Sequence, residues 1–337
     1  MKKLAVHSII LCALMAVVAG CGGNAAPTNQ PKQEAAPQAA APQAAAPDSG
    51  QKPKVTVVLK TLSSQYWKYV EAGAKKAFED LGVDGKVIGP AAESQVMEQI
   101  NMMEDALNQK PQALVVSPSQ PDTAIPVFDK YKAANIPVLL VDTDANWDGK
   151  ATFIGTDNYT AGKLGGEELA KQLTKGDKVA LIAGALGNNA TDDRIKGAKE
   201  ALIAAGMNVV AEQPADSDKE KAMSVMENIL QTNPDVKGLF SANDDMALGA
   251  LRAIEAKGAA VKIIGTDGNI DALEQVIAGK LFGSVAQSPY DMGYKGVENA
   301  VKMIKGEQIE KRIDSGAEFI GKDNAQKKIE FLNGLSK

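Results

Sequence analysis

Three amide or carboxylate side chains stand directly after β-like runs in the last third of the sequence. They are Asn243, Asp267 and Gln287, which follow the runs 239–242, 261–266 and 281–286. In open parallel α/β sheets, ligands bind in the crevice beyond the carboxyl ends of the strands. These positions therefore predict a binding wall of hydrogen-bonding groups that suits a ligand rich in hydroxyls.

The turn after the first strand-like run carries hydroxyls and then two aromatic residues. It reads Lys60-Thr61-Leu62-Ser63-Ser64-Gln65-Tyr66-Trp67, in a chain that is only 4% aromatic. With no Gly-x-Gly-x-x-Gly and no Walker lysine, no nucleotide cofactor is expected. A Tyr or Trp here can lay an apolar face on the C–H side of a sugar ring. Alternatively, these aromatics are core residues that open a helix, which we expect for one of Tyr66 and Trp67.

Strand-like and helix-like segments alternate over the roughly 285 residues after position 53, which is more than a single core usually serves. The predicted strands are 55–60, 86–89, 113–116, 137–141, 152–154, 178–183, 208–211, 238–240, 261–266 and 281–286, and the predicted helices are 66–81, 93–108, 122–134, 159–173, 192–205, 218–231 and 244–256. Apolar runs such as Val-Ala-Leu-Ile-Ala suit strands that are buried on both faces of a parallel sheet. The expected fold is α/β, with two Rossmann-like, doubly wound lobes.

The N-terminus has the pattern of a bacterial lipoprotein signal. Lys2 and Lys3 precede an apolar stretch, 4–18, that is too short to span a membrane, and Val18-Ala19-Gly20-Cys21 forms a small-residue cleavage site. We therefore predict a signal peptide over 1–20, a lipid on Cys21 and an extracytoplasmic, membrane-anchored protein. The alternative, an uncleaved anchor, predicts the same compartment. Residues 21–53, rich in Ala, Pro and Gln, predict a disordered linker.

Composition excludes most nucleophilic and metal chemistry from the folded part. The only histidine, His7, and one of the two cysteines, Cys12, lie in the predicted signal peptide, and Cys21 is the predicted lipid site. This closes Ser/His/Asp and Cys/His catalysis, imidazole or thiolate zinc sites and disulfides. No metal and no cofactor are expected. The net charge is −5, and −7 without Lys2 and Lys3, so no nucleic-acid partner is expected.

Several motifs, in order and at consistent spacing over the folded part, resemble the ribose- and allose-binding members of the type I periplasmic binding proteins. They are Val58-Leu59-Lys60-Thr61-Leu62-Ser63 followed by aromatics, Gln213-Pro214-Ala215-Asp216, Ala242-Asn243-Asp244-Asp245-Met246-Ala247-Leu248-Gly249-Ala250, Gly265-Thr266-Asp267-Gly268 and Val285-Ala286-Gln287-Ser288-Pro289. The resemblance implies two lobes, 54–157 plus 289–312 and 158–288 plus 313–337, joined by three hinge crossings. It also implies a sugar clamped in the cleft, and a monomer.

The resemblance implies that five residues stand where the family places its sugar ligands, namely Asp142, Arg194, Asn243, Asp267 and Gln287. The first turn adds Lys60, Ser64, Tyr66 and Trp67 to the predicted ligand-binding set. Arg194 offers a rigid fork of donors, and the carboxylates accept from paired hydroxyls. The alternatives are that Asp142 and Asp267 cap helices or turns, that Arg194 is a surface cation, that Gln287 is a hinge residue, and that Asn243 is an N-cap.

The chain departs from the ribose-binding pattern at four positions. Thr143 replaces an arginine, Ser64 and Ser117 replace asparagines, and Ser217 replaces an aromatic residue of the second lobe. Lys60 and Trp67 are similar to the allose binders, which favours a pyranose. Trp147 is either a substitute ring face or, as we rather expect, a loop residue that covers the lobe.

The main hypothesis is a lipid-anchored solute-binding protein, not an enzyme, that delivers a pentose or hexose to the permease of an ABC importer. One alternative is a sensor subunit for a sugar, polyol, nucleoside or furanosyl signal. Another is a sugar hydrolase that uses Asp142 and Asp267. It is disfavoured because neither acid has an evident reason for a raised pKa and Arg194 would lower it. A repressor core is disfavoured because a lipoprotein signal stands where a helix-turn-helix would be.

Overall fold

The computed structural model describes residues 51–335, and the two lobes of the protein are built on two six-stranded sheets. The predicted signal peptide, Cys21 and nearly all of the predicted linker lie outside the described residues. Within 51–335, every helix is too short or too polar to cross a bilayer.

The strands and helices alternate as the sequence predicts. The strands are β1 Lys54–Val58, β2 Asp84–Ile88, β3 Ala113–Val116, β4 Val138–Val141, β5 Thr152–Gly155, β6 Lys178–Ala183, β7 Asn208–Pro214, β8 Gly238–Ser241, β9 Lys262–Asp267, β10 Gly283–Ala286, β11 Arg312–Asp314 and β12 Glu318–Ile320. The helices are α1 Gln65–Leu81, α2 Val96–Asn108, α3 Pro121–Ala133, α4 Asn158–Ala170, α5 Asn189–Ala204, α6 Lys219–Thr232, α7 Asp244–Lys257, α8 Ile270–Ile277, α9 Pro289–Ile304 and α10 Lys322–Leu335.

The two sheets repeat one topology. The first runs in the order β2-β1-β3-β4-β5-β11, and the second runs in the order β7-β6-β8-β9-β10-β12. All strand pairs are parallel except β10 with β12. The two-lobed α/β fold predicted from the sequence is confirmed. In both sheets the order reverses between the first and third strands, and ligands bind at such a switch point.

The central strands are buried on both faces, which explains their unbroken apolar runs. Every residue of β3, β4, β8 and β10 is buried. Helices α1 and α9 cover one face of the first sheet, and α4 and α5 cover one face of the second. Gly73 and Gly293 let α1 and α9 approach closely, because a Cβ on either would collide with the backbone of the other helix. This packing fixes α1, whose first turn carries Tyr66 and Trp67.

The chain passes between the lobes three times, at 156–157, 287–288 and 315–317. The third crossing differs from the lobe boundary after 312 that the resemblance implies. Ile313 and Asp314 form β11 and pair with Ile154 and Gly155 of the first sheet. The first lobe therefore extends to Asp314, because these backbone groups complete the ladder of β5.

Candidate functional site

The carboxyl ends of the two sheets face each other across a narrow cleft. Eight of the nine predicted ligand-binding residues line it, and they are Lys60, Ser64, Tyr66, Trp67, Asp142, Arg194, Asn243 and Asp267. The remaining lining residues are Glu93, Ala190, Thr191, Ser217 and Asp245. The cavity between them has a volume of only about 20 Å³. Small-molecule pockets measure roughly 300–1,000 Å³, so the side chains of the two lobes nearly fill the cleft here, and the lobes must separate to admit a ligand.

Asp142 is the centre of the first lobe's wall. It directly follows β4, and its carboxylate accepts hydrogen bonds from Tyr66 Oη at 2.8 Å, Ser117 Oγ at 3.1 Å and Thr143 Oγ1 at 2.7 Å. Lys60 Nζ lies 3.3 Å from Asp142 Oδ2, and both side chains are almost completely buried. The carboxylate is therefore held by one cation and three hydroxyls before any ligand arrives.

This environment keeps Asp142 ionised. Burial opposes the charge, but the positive charges of Lys60 and Arg194, and then the hydrogen bonds from Thr143 and Tyr66, outweigh it. The pKa of Asp142 is consequently held below its usual range. Since Arg194 belongs to α5 of the second lobe, this electrostatic stabilisation crosses the cleft.

The second lobe's wall contains Asp267, Arg194 and Gln287. Asp267 ends β9. Its Oδ1 accepts a hydrogen bond from Gln287 Nε2 at 2.8 Å and lies 3.6 Å from Arg194 Nη1. Arg194 is anchored by Nε to Asn158 Oδ1 at 2.8 Å and by Nη1 to the Ala242 carbonyl at 2.9 Å. The guanidinium group of Arg194 is thus fixed by α4 and by the residue that follows β8. Arg194 is therefore not the surface cation that the sequence left possible.

The pKa of Asp267 moves in the opposite direction to that of Asp142. Burial is the main cause and raises it well above its usual range, and the nearby carboxylates of Asp244 and Asp245 raise it further. Arg194 and Gln287 oppose this shift without cancelling it. The expectation that neither carboxylate of the cleft has a reason for a raised pKa is therefore wrong for Asp267.

Asp244 supports the second wall from behind. Its fully buried carboxylate accepts from the Asn269 backbone N–H and from Ser284 Oγ, both at 2.8 Å. Burial, despite these bonds, raises the pKa of Asp244 to about 7. These contacts fix the turn after Asp267 and hold its side chain toward the cleft.

Asn243 acts as an N-cap and also borders the cleft. Its Oδ1 accepts from the Met246 backbone N–H at 2.8 Å at the start of α7. Its amide nitrogen makes no hydrogen bond to any residue in the described part of the chain. The cap and the binding interpretations are therefore compatible, because they use different atoms of one side chain.

Left-handed backbone conformations concentrate at this cleft. Asp142 has φ 61° and Asp267 has φ 135°, and two further non-glycine residues, Asp216 and Ser217, have φ 53° and 59° beside the same opening. Such conformations cost on the order of 1–3 kcal/mol each and cluster at functional sites. Here they turn two carboxylates out of the strand direction and into the cleft.

Both aromatics of the first turn of α1 are buried in the first lobe's core, as expected for one of them, and both also border the cleft. Tyr66 and Trp67 meet edge to face, with centroids 5.1 Å apart, and Lys60 Nζ lies 5.5 Å from the Trp67 ring centroid. Trp67 Nε1 donates to Glu93 Oε1 at 2.6 Å. Trp147 instead packs against Phe128 in the first lobe's core and donates to Asp129, so it supplies no ring face to the cleft.

Sequence reasoning missed Glu93 and Asp245. Glu93 was assigned to a helix over 93–108, but α2 begins at Val96, and the residues before it form a loop that follows β2. Glu93 stands five residues after the end of β2, so a rule based on side chains that directly follow a strand does not find it. Burial raises the pKa of Glu93 and of Asp245. Gln287 is placed differently from the prediction, since it lies behind Asp267 and outside the cleft lining.

The lobes touch on both flanks of the cleft. On one flank, Gln65 Nε2 donates to Asp271 Oδ1 at 3.3 Å. On the other flank, Asn188 Nδ2 donates to the Ser119 carbonyl at 3.0 Å and Gln120 Nε2 donates to the Leu186 carbonyl at 3.1 Å. The structure is therefore a closed form of the two-lobed fold.

One hydroxyl joins the three crossings between the lobes. Thr156 Oγ1, in the first crossing, lies 2.8 Å from Gln287 Oε1 in the second, and 3.2 Å from Ser315 Oγ in the third. Gln287 in turn contacts Asp267. A chain of hydrogen bonds thus connects the hinge to the second lobe's wall.

No group of three or more metal-ligating side chains is arranged to hold an ion within residues 51–335. The convergent polar groups are suited to hydrogen bonding with a neutral ligand. Two carboxylates can accept hydrogen bonds from hydroxyls and an arginine can donate to them, while Trp67 and Tyr66 border the cleft with apolar rings.

Comparison with known proteins identifies the fold family. Residues 55–308 match the periplasmic binding protein domain. The chain belongs to this family. Among its relatives, the ribose import binding protein of Escherichia coli K12 is 34% identical over 260 residues, covering 77% of this chain and 87% of that protein. The D-allose-binding periplasmic protein of the same organism is 33% identical over 277 residues, covering 78% and 88%.

A solved structure of the family agrees with the two-lobed architecture. The periplasmic solute-binding protein of an ABC transporter from Actinobacillus succinogenes, with bound D-allose, has a TM-score of 0.77 and 29% identity. The match covers 82% of this chain and 100% of that one. The ribose relative is an import binding protein and the structural neighbour is part of an ABC transporter, so both are transport proteins.

Proposed function

We propose that this protein is an extracytoplasmic solute-binding protein that captures a monosaccharide between its lobes and delivers it to an ABC importer. The observation that carries the proposal is the convergence of two hydrogen-bonding walls from opposite lobes on one narrow cleft. Relatives that bind ribose and D-allose support the ligand class.

Each wall contributes a different part of recognition. The ionised Asp142 accepts from a ligand hydroxyl in competition with the hydroxyls that already hold it, and Lys60 donates beside it. Across the cleft, Arg194 and the amide of Asn243 donate, and Asp267 accepts. Hydrogen bonds that involve charged groups contribute roughly 1.5–3 kcal/mol each. An analogue that leaves a buried protein group without its hydrogen bond therefore binds more weakly. The site therefore distinguishes epimers.

Closure follows from ligand contact with both lobes at once. A ligand that touches Asp142 on one side and Asp267 on the other stabilises the closed form relative to the open one. The hinge is the set of three crossings joined by Thr156, and few backbone dihedrals need to change there. Gln287 transmits the position of the hinge to Asp267, so we assign it a positioning role.

We further propose that the protein is anchored by lipid on Cys21 and works as a monomer beside its permease. The signal pattern at 1–21 supports anchoring, and the acidic net charge of −5 leaves little electrostatic attraction to anionic lipid. A sensor subunit that hands a sugar to a membrane receptor is a second candidate with the same site. Growth on the identified sugar after deletion of the neighbouring permease genes separates import from sensing.

Sugar hydrolysis is retained as an outcome to test, because the pKa values of Asp142 and Asp267 shift in opposite directions. Opposed shifts are typical of an acid and base pair. We propose binding without turnover, since Asp267 Oδ1 is occupied by Gln287 and Arg194. Nitrophenyl glycosides should give no nitrophenol; release that is lost in Asp267→Asn would overturn this.

A thermal-shift screen against aldopentoses, aldohexoses, polyols and nucleosides tests the ligand class. A ligand that binds only the folded state raises the melting temperature by mass action. We expect a stereospecific increase with one aldopentose or aldohexose and none with its epimers. Increases only with nucleosides, or with no compound at all, would refute the monosaccharide proposal.

A further inference from the structure

A second space adjoins the cleft and continues it outward. Its volume is about 260 Å³, and it shares four lining residues with the cleft, namely Ser64, Glu93, Ser217 and Asp245. We call these four residues the passage; Ser64 and Glu93 belong to the first lobe, and Ser217 and Asp245 belong to the second. They border both spaces in the closed form, in which hydrogen bonds join both flanks of the lobes.

The side chains of the passage have hydrogen-bonding capacity to spare. Ser64 is the N-cap residue of α1, yet its hydroxyl makes no cap bond. Within the described residues, no hydrogen bond is formed by the hydroxyls of Ser64 and Ser217 or by the carboxylate of Asp245. Glu93 uses one carboxylate oxygen, on Trp67, and leaves the other free. Polar groups that face a passage without partners are suited to a ligand that supplies them.

The outer space, defined by the residues that line it but not the cleft, is polar except for Ala92. They are Thr61, Ser63, Ala92, Ser94, Asp216, Asp218, Lys219 and Glu220. Three hydroxyls face three carboxylates and one lysine, and Asp216 is already paired with Lys221. With Glu93 and Asp245 at the entrance, the charge is predominantly negative. A phosphate or a uronic acid is disfavoured here, whereas neutral hydroxyls find both donors and acceptors.

We infer that the site accepts a sugar longer than one ring: a neutral glycoside or disaccharide whose first ring lies in the cleft and whose second unit passes between Glu93 and Asp245 into the outer space. This inference rests on the proposed sugar-binding function and deepens it. The small side chain of Ser217 leaves room for the glycosidic linkage, and the hydroxyls of the outer space contact the second unit.

A calorimetric titration of the protein separates this inference from the proposed function. The ligands are the monosaccharide identified by the screen, its methyl glycosides of both anomers, neutral disaccharides that carry it at the non-reducing end or at the reducing end, and the corresponding uronic acid disaccharides. We expect at least one neutral disaccharide to bind within tenfold of the monosaccharide or more tightly. Its uronic acid analogue should bind at least tenfold more weakly than that neutral disaccharide.

If no sugar of any length binds, the proposed function fails. If only monosaccharides bind, or if the uronic acid analogue binds as tightly as the neutral one, this inference alone fails.

Ser94→Trp tests where the second unit lies, because Ser94 is exposed and lines only the outer space. We expect this variant to weaken the disaccharide at least tenfold while the monosaccharide stays within threefold of its wild-type affinity. Ser94→Ala, the matched control, removes a hydroxyl without filling the space, so it should leave the monosaccharide unchanged and weaken the disaccharide much less than Ser94→Trp does. A disaccharide that binds Ser94→Trp normally, or a loss shared equally by both ligands, overturns the inference.

Discussion

The two lobes present the same residue type in the same place, yet its chemistry differs between them. Asp142 and Asp267 both stand at the carboxyl end of a strand, have positive φ, and are buried, with 3% and 7% of their surface exposed. Each has one cation within ion-pair distance, Lys60 at 3.3 Å or Arg194 at 3.6 Å, and Arg194 also stabilises the charge of Asp142 from across the cleft. The pKa of Asp142 is nevertheless lowered, and that of Asp267 is raised.

The difference comes from the neighbours beyond the cation. Asp142 is surrounded by three hydroxyl donors, whereas Asp267 has one amide donor and lies near the carboxylates of Asp244 and Asp245. The first lobe therefore has a satisfied ion pair that positions a ligand. The second lobe has a carboxylate short of donors, which ligand hydroxyls can supply. We expect ligand binding to favour the ionised form of Asp267, and hence to release protons.

The largest expected effect is on stability and comes from Asp142→Asn. The change removes the charge that compensates the buried Lys60, and breaking such a pair costs about 3–5 kcal/mol. The free energy of unfolding in urea should fall by that amount. Asp144→Asn is the control, because Asp144 pairs with Lys150 while both are partly exposed, and an exposed pair contributes only about 0–1 kcal/mol. Equal losses in the two variants would show that burial does not make the Lys60–Asp142 pair more important for stability than the Lys150–Asp144 pair.

The next effect is a pH dependence of stability that Asp244 and Asp267 share. With their raised pKa values, the folded state holds protons that the unfolded state has released, so stability is largest at low pH. The contribution of Asp244 to the free energy of unfolding should decline as the pH rises from about 4 to about 7, by an amount on the order of a few kcal/mol. Asp142, with its lowered pKa, acts oppositely and loses its contribution as the pH falls through that pKa.

Asp244→Asn separates the contribution of Asp244 to this decline in stability from that of Asp267. The asparagine mimics the protonated carboxyl, accepts from the Asn269 N–H and can donate to Ser284 Oγ. Urea unfolding across the pH range should then give a flatter profile than the wild type. An unchanged profile would mean that Asp244 is ionised in the folded protein at pH 5.

Asp267→Asn should affect binding more than stability. The charge that it removes is already disfavoured by burial, and Arg194 keeps its contacts with Asn158 and the Ala242 carbonyl. We expect the sugar affinity to fall at least tenfold, equivalent to about 1–3 kcal/mol of lost hydrogen bonding, and the free energy of unfolding near pH 7 to change by less than in Asp142→Asn. A stability loss as large as that of Asp142→Asn would remove the contrast between the lobes.

The smallest effect separates capping from binding at Asn243. Asn243→Ser keeps a good N-cap and removes the amide donor, whereas Asn243→Ala removes both. Stability should fall by about 0.5–2 kcal/mol in the alanine variant only. Sugar affinity should fall in both variants. If the serine variant binds the sugar normally, Asn243 is a cap and nothing more.

The sequence predicts the lobes well because their central strands are buried on both faces and so are continuously apolar. It does not reveal β11 and β12, which have three residues each and are partly exposed, or α10, whose apolar residues are sparse. The last lobe boundary was misplaced for this reason. Pairing with β5, rather than any local pattern, makes 312–314 a strand. The helices α8 and α9 were not predicted either.

The site could be predicted wherever a side chain directly follows a strand. Asp142, Asn243 and Asp267 follow that rule, and the structure places all three along the cleft. The raised pKa of Asp267 could not be predicted, because it depends on Asp244 approaching from a different strand end. The core position of Trp147 is likewise set by contacts with Phe128 and Asp129, which no spacing along the chain indicates.

The most direct test of the account is a calorimetric titration of the sugar identified by the screen into the wild type and into Asp142→Asn and Asp267→Asn. A sugar clamped between two lobes should bind the wild type at one site per chain. It should lose at least tenfold in affinity in each variant, under conditions where both remain folded. If either variant binds the sugar with wild-type affinity, the sugar is not held by carboxylates from both lobes, and the central claim is contradicted.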